Sequence, residues 1–122
     1  MSTVHVVDDD ASIRTSLARL LGGAGYEVCC YATAEDLLGV AGPALDGCIL
    51  LDLRLPGASG LELQDTLSAR RCRAPIVFLT AHGDVAARAR AMERGAVDFL
   101  RKPVPADELL SAVAAAIQRI NG

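Results

Sequence analysis

The sequence predicts an α/β fold, a doubly wound (βα)5 sandwich with helices on both faces of a parallel sheet. Three observations carry this. Five short aliphatic runs recur along the 122 residues, and stretches of helical period separate them. The runs are mostly apolar at consecutive positions, as parallel strands covered on both faces require.

The expected strands are Val4–Val7, Glu27–Tyr31, Cys48–Leu51, Ile76–Leu79 and Val97–Leu100. Between them, Ile13, Leu17, Leu20 and Leu21 share one helix face; so do Val85, Ala89 and Met92, and later Leu109, Val113 and Ile117. Ser59-x-x-Glu62 has capping-box spacing, Thr33-x-x-Asp36 is similar, and Asp10 is placed to cap the first helix. Pro105 with Asp107 and Glu108 suits a first turn, where a missing N–H is harmless and carboxylates meet the positive end of the dipole. Gly22, Gly23 and Gly25 stop the first helix and Gly95 stops the fourth.

Composition narrows the function. Hydrophobic residues make up 52% and charged ones 22%, which excludes a disordered chain. Aromatics are 3% and Trp is absent, so the core is aliphatic. A net charge of −3 argues against direct nucleic-acid binding by this segment. No apolar run approaches a membrane span, and Ser2-Thr3-Val4 offers no basic leader, so a cytoplasmic protein is expected. Cys29, Cys30, Cys48 and Cys72 have no C-x-x-C spacing and are expected as reduced packing residues. A redox role for an exposed Cys72 stays open.

On doubly wound sheets, ligands sit outside the carboxyl ends of the strands. There the first strand ends in Asp8-Asp9-Asp10, the third in Asp52 and the fourth in Thr80, and the fifth is followed by Lys102-Pro103. Crowded carboxylates need a positive partner. A hard divalent cation such as Mg²⁺ on Asp9 and Asp52, with Asp8 assisting through water, answers that need. Lys102 is the only lysine beside eleven arginines, which marks a site that needs a compact point charge.

Val6-Val7-Asp8-Asp9, Leu51-Asp52-Leu53-Arg54-Leu55-Pro56-Gly57, Thr80-Ala81-His82 and Phe99-Leu100-Arg101-Lys102-Pro103 occur in order along the chain. In them the sequence resembles a response-regulator receiver domain of two-component systems over residues 1–122. Val4-His5-Val6-Val7-Asp8-Asp9 and Thr80-Ala81-His82-Gly83-Asp84-Val85 bring it nearest to the FixJ-like branch. The resemblance implies a flavodoxin-like sheet of order 2-1-3-4-5 and phosphorylation of Asp52 by a sensor histidine kinase. It implies Mg²⁺ on Asp9, Asp52 and the Arg54 backbone carbonyl, with Asp8 bound through water. Lys102 and Thr80 would contact phosphoryl oxygens, and a cis Lys102–Pro103 bond is expected. Ala81 would leave the site open to the incoming histidine. Such a domain catalyses its own phosphorylation and dephosphorylation, yet serves as a switch.

The same resemblance makes Thr80 and Phe99 the switch pair, with Phe99 turning inward on activation. The face of helix four, strand five and helix five would then form a homodimer, or act on an attached output domain, to regulate transcription. Arg88, Arg90, Glu93, Arg94, Asp98 and Arg101 are candidate charges on that face. His5 is expected to be packed and hydrogen-bonded, Tyr26 and Tyr31 to be packing residues, and His82 to shape access of water. Two competing chemistries fit poorly. A dehalogenase-type phosphatase needs a second Asp where Arg54 stands, and no glycine-rich phosphate loop follows the first strand. A receiver-like module working unphosphorylated is not favoured, since Asp8, Asp9, Asp52, Thr80 and Lys102 are all present.

Overall fold

The computed structural model describes residues 2–81 and 85–121. Elements follow in the order β1 (Thr3–Val7), α1 (Ala11–Gly23), β2 (Glu27–Tyr31), α2 (Ala34–Leu38), β3 (Cys48–Leu51), β4 (Arg54–Leu55), β5 (Ala58–Ser59), α3 (Gly60–Ala69), β6 (Ile76–Thr80), α4 (Val85–Glu93), β7 (Asp98–Arg101) and α5 (Ala106–Asn121). Five parallel strands lie in the order β2-β1-β3-β6-β7. Counting only those five, this is the expected 2-1-3-4-5. The register places Val7 beside Leu51, Leu51 beside Phe78 and Phe78 beside Phe99, so the carboxyl ends of the central strands are level.

Neighbouring apolar residues on a strand serve opposite faces. Ile49, Leu51, Val7 and Phe78 join the core beneath α2, α3 and α4, with Leu37, Leu63, Leu67 and Ala91. Cys48, Leu50, Val6, Val77 and Leu79 join the core beneath α1 and α5, with Leu17, Leu21, Leu109, Val113 and Ala116. That is why the central runs are apolar at nearly every position, the hydrogen-bonded His5 of β1 and Thr80 at the end of β6 excepted.

The helix starts follow the cap chemistry. Asp10 accepts from the Ser12 and Ile13 amides, Thr33 from the Asp36 amide and Ser59 from the Glu62 amide. Gly47 is required by a close approach: at φ +88°, its would-be Cβ lies inside contact distance of the Thr3 carbonyl.

Two expectations are corrected and a third is extended. β2 is an edge strand, so Cys29 and Cys30 are exposed rather than packed; only Cys48 is buried, and Cys72 is half-buried. All four thiols are free. On α4 the inward residues are Ala87, Ala91 and Met92, whereas Val85 is 87% exposed. The small alanines let α4 lie close, and that contact overrides the larger Val. Tyr31 does more than pack, because its hydroxyl lies 2.9 Å from His5 Nδ1.

Candidate functional site

Asp8 follows the last residue of β1 and Asp52 the last residue of β3, two adjacent strands at the centre of the sheet. Main-chain bonds extend the sheet one step further: the Asp8 amide donates to Tyr31 O and the Asp52 amide to Val7 O, each at 3.1 Å. Both carboxylates are therefore fixed by the ladder. Asp8 is 3% exposed and Asp52 8%, while Asp9 is exposed at the mouth. Carboxylate oxygens of Asp8, Asp9 and Asp52 all lie within 4.8 Å of one another.

Lys102, just past β7, closes the site. Its Nζ lies 2.6 Å from Asp8 Oδ2 and 3.5 Å from Asp52 Oδ2. The Lys102 amide donates to the Thr80 carbonyl at 2.9 Å, which holds this turn against the end of β6. The Lys102–Pro103 bond is cis, as expected. Thr80 is fully buried at the end of β6.

The backbone around the acids is also tied down. Asp8 Oδ1 accepts from the Asp10 amide at 2.9 Å, and Asp52 Oδ1 from the Arg54 amide at 3.2 Å. The Arg14 guanidinium donates to the Asp8 carbonyl at 2.8 Å, an anchor the sequence reading missed. Asp10 stands outside the cluster, where the Ser12 hydroxyl and the Ser12 and Ile13 amides hold its carboxyl below the usual range.

A second missed feature is the hairpin below Asp52. β4 and β5 pair antiparallel, Leu55 opposite Ala58, so Pro56-Gly57 is the connection, with Gly57 at φ +74°. Pro before Gly was the available signal for such a turn. Gly60 then starts α3 with its amide 2.6 Å from the Leu53 carbonyl.

The donor set tests well for a metal. Three carboxylates offer only hard oxygen ligands, and one ammonium leaves two formal negative charges unmet. That charge and chemistry fit a divalent ion of the Mg²⁺ type.

Other expected residues fall as follows. His5 is buried, with Nε2 donating to the Asp46 carbonyl at 2.7 Å, as a packed strand histidine should. The Phe99 ring is already inward, 7% exposed and 5.6 Å from the Phe78 ring, so this structure holds the inward arrangement that was expected only on activation. Arg94 is removed from the free charges of the helix-four face, because it pairs with Asp65 of α3 at 3.0 Å. Arg88, Arg90, Glu93 and Arg101 are exposed, and half-buried Asp98 accepts from the Phe99 amide. His82, Gly83 and Asp84 lie outside the described residues.

The site is thus a carboxylate cluster with one lysine, set at the strand ends of a doubly wound parallel sheet. The chain belongs to the response regulator receiver domain family, whose model matches residues 4–114. Nodulation protein W of Bradyrhizobium diazoefficiens is 47% identical over 116 residues, covering 95% of this chain and 51% of that protein. Transcriptional regulatory protein FixJ of Azorhizobium caulinodans is 43% identical, covering 95% of this chain and 55% of its own length. The crystal structure of FixJ-N superposes with a TM-score of 0.88 at 37% identity, covering 97% of this chain and 94% of that one. The chain thus spans about half the length of the curated relatives it matches. Among the described residues, no helix is long and apolar enough to cross a membrane.

Proposed function

We propose that residues 1–122 form a phosphoacceptor switch of a two-component system, taking a phosphoryl group from a sensor histidine kinase onto Asp52. The observation that carries this is the Asp8–Asp9–Asp52 cluster with Lys102 bound across it. Asp8, Asp9, Asp52 and the Arg54 carbonyl would hold Mg²⁺. When bound, that ion neutralises the charge of the acids and of the phosphoryl oxygens.

The chain's own groups do the rest. An Asp52 oxygen forms the new O–P bond while the N–P bond of a protonated phosphohistidine breaks, its electron pair leaving with the neutral imidazole. Lys102 pairs with one phosphoryl oxygen and the Thr80 hydroxyl donates to another. Small Ala81 keeps the approach open, and with Ile13, Ser16, Lys102 and Pro103 it lines a cavity of about 550 Å³ where the incoming phosphohistidine would approach. Attack of water on the acyl phosphate resets the domain.

Thr80 and Phe99 would transmit the change to the face of α4, β7 and α5, which then pairs with a second copy or acts on an output domain to regulate transcription. This reading puts the protein in the cytoplasm, beside its kinase, with neither membrane nor nucleic acid held by this segment.

Incubation with Mg²⁺ and acetyl phosphate tests it. An acid-stable, base-labile adduct is expected, absent with EDTA and absent in Asp52→Ala. Equal labelling of Asp52→Ala and wild type would refute Asp52 as the acceptor.

A further inference from the structure

The lateral order of the strands fixes the order of the residues at their amino ends, the end of the sheet opposite Asp52. Across the row β2-β1-β3-β6-β7 come Glu27 at the start of β2, Thr3 at the start of β1, Asp46 two residues before β3 and Arg73 three residues before β6. Two acids therefore stand on one side of this row and a base on the other. α5 packs on β3 and β6, so its last turn, with Arg119 and Ile120, ends over the middle.

Two cavities of about 270 Å³ each flank that turn, and Ile120 belongs to the wall of both. The wall of the first includes Thr3, Glu27, Asp46 and Ile117 and no basic residue. The wall of the second includes Ile76, Arg73, Arg94 and Arg119 and no acidic one. Glu27, Asp46, Arg73 and Arg119 are exposed and form no ion pair among the described residues, whereas Arg94 is taken by Asp65. Ile120, between the two sides, is 49% exposed.

An exposed apolar residue with opposite charges on its two sides selects its partner. A small ion answers one side and leaves the other unmet. A second copy of the chain answers both. A two-fold axis beside Ile120 turns the acidic side of one copy onto the basic side of the other and brings the two isoleucines together. An isologous contact uses every pairing twice, so Glu27 and Asp46 of each copy face Arg73 and Arg119 of its mate.

We infer that the amino-end face of the sheet is a homodimer interface built on Glu27, Asp46, Arg73, Arg119 and Ile120. It lies at the far end of the sheet from the acid cluster and needs neither Mg²⁺ nor a phosphoryl group. It thus goes beyond the pairing through α4, β7 and α5 and stands or falls separately from it.

Sedimentation equilibrium of the 122-residue chain in EDTA, without a phosphodonor, tests it. The mass should climb from monomer toward dimer between about 10 µM and about 1 mM. Ile120→Asp should weaken association about tenfold or more. Charge reversal is the sharper arm. The variant Glu27→Lys, Asp46→Lys and the variant Arg73→Glu, Arg119→Glu should each be monomeric alone, yet associate when mixed, within about tenfold of the wild-type affinity. All four positions are exposed, and each variant should keep the wild-type far-UV circular dichroism and the response of the Thr80 amide to Mg²⁺ and beryllofluoride. Three results would overturn the inference: a monomer throughout that range, which would leave the face to a partner of another kind; a dimer that Ile120→Asp leaves intact; or reversed variants that stay apart on mixing.

Discussion

Replacing Lys102 with Met keeps the length of the side chain and removes its charge. In the wild type, Nζ sits 2.6 Å from Asp8 and 3.5 Å from Asp52, with the acid side chains only 5% and 10% exposed. Removing one partner of a buried pair costs about 3–5 kcal/mol, because the remaining charge stays desolvated. The lysine side chain is itself 16% exposed and Asp9 lies in solvent, so the lower end applies, about 3 kcal/mol. For a domain of this size that is a fall in Tm of about 10–15 °C in EDTA. A divalent ion would then find three carboxylates with no competing ammonium. The variant should bind Mg²⁺ at least about tenfold more tightly, which closes the stability gap by about 1.4 kcal/mol at saturation. Urea unfolding of both proteins, in EDTA and in saturating Mg²⁺, reads all of this. A gap that is the same in both conditions, or a loss in EDTA below about 0.5 kcal/mol, would refute the claim that Lys102 compensates the acid cluster.

The substitution Gly60→Ala probes the floor beneath Asp52. A Cβ there would stand 2.5 Å from the Asp52 carbonyl oxygen, 2.9 Å from Phe78 Cε1 and 3.0 Å from Leu53 Cα, and the backbone neighbours cannot swing aside. A loss of about 2–3 kcal/mol and slower labelling of Asp52 by acetyl phosphate are expected; wild-type values for both would contradict the tight junction of α3 with the end of β3. Cys48 gives a pH test: burial pushes its thiol from 9.0 up to about 12. The folded chain keeps the proton that the unfolded chain releases, so the thiol's contribution is intact below the ordinary value and stability falls as pH rises from there toward the folded value, by up to about 1.4 kcal/mol per pH unit. Urea midpoints at about pH 8 and about pH 10 should differ less in Cys48→Ala than in wild type, and equal differences would remove Cys48 as the cause.

The central sheet was legible because β1, β3 and β6 are covered on both sides, and only a two-faced core leaves consecutive residues such as Cys48, Ile49, Leu50 and Leu51 all buried. Once those strands are placed in parallel, their ends must coincide, and the polar residue that follows each one becomes a site residue without further information. Asp8, Asp52, Thr80 and Lys102 needed only that geometry, and the lone lysine stood out against an arginine background. What escaped the sequence shares one physical trait: it depends on which of two nearly equal contacts wins. On α4, Ala87 and Ala91 repeat at the same spacing as Val85 and Ala89, so periodicity supports either face. Close approach to α3 decides it, through Ala91, whose carbonyl the buried Gln64 grips. The same approach draws Arg94 onto Asp65 and away from the face where a partner would have met it. Phe99 obeys the same logic, since a ring at the edge of β7 is long enough to point outward or to pack on Phe78, and nothing in the order of residues separates the two. Here it packs inward, and the energy that would separate its two positions, a ring's worth of apolar area at about 1.5–3 kcal/mol, is of the size that a single hydrogen bond to a charged group at Thr80 can offset. The residues whose placement the sequence leaves open at this edge of the sheet are therefore those whose balance a charge placed on Asp52 would be able to tip.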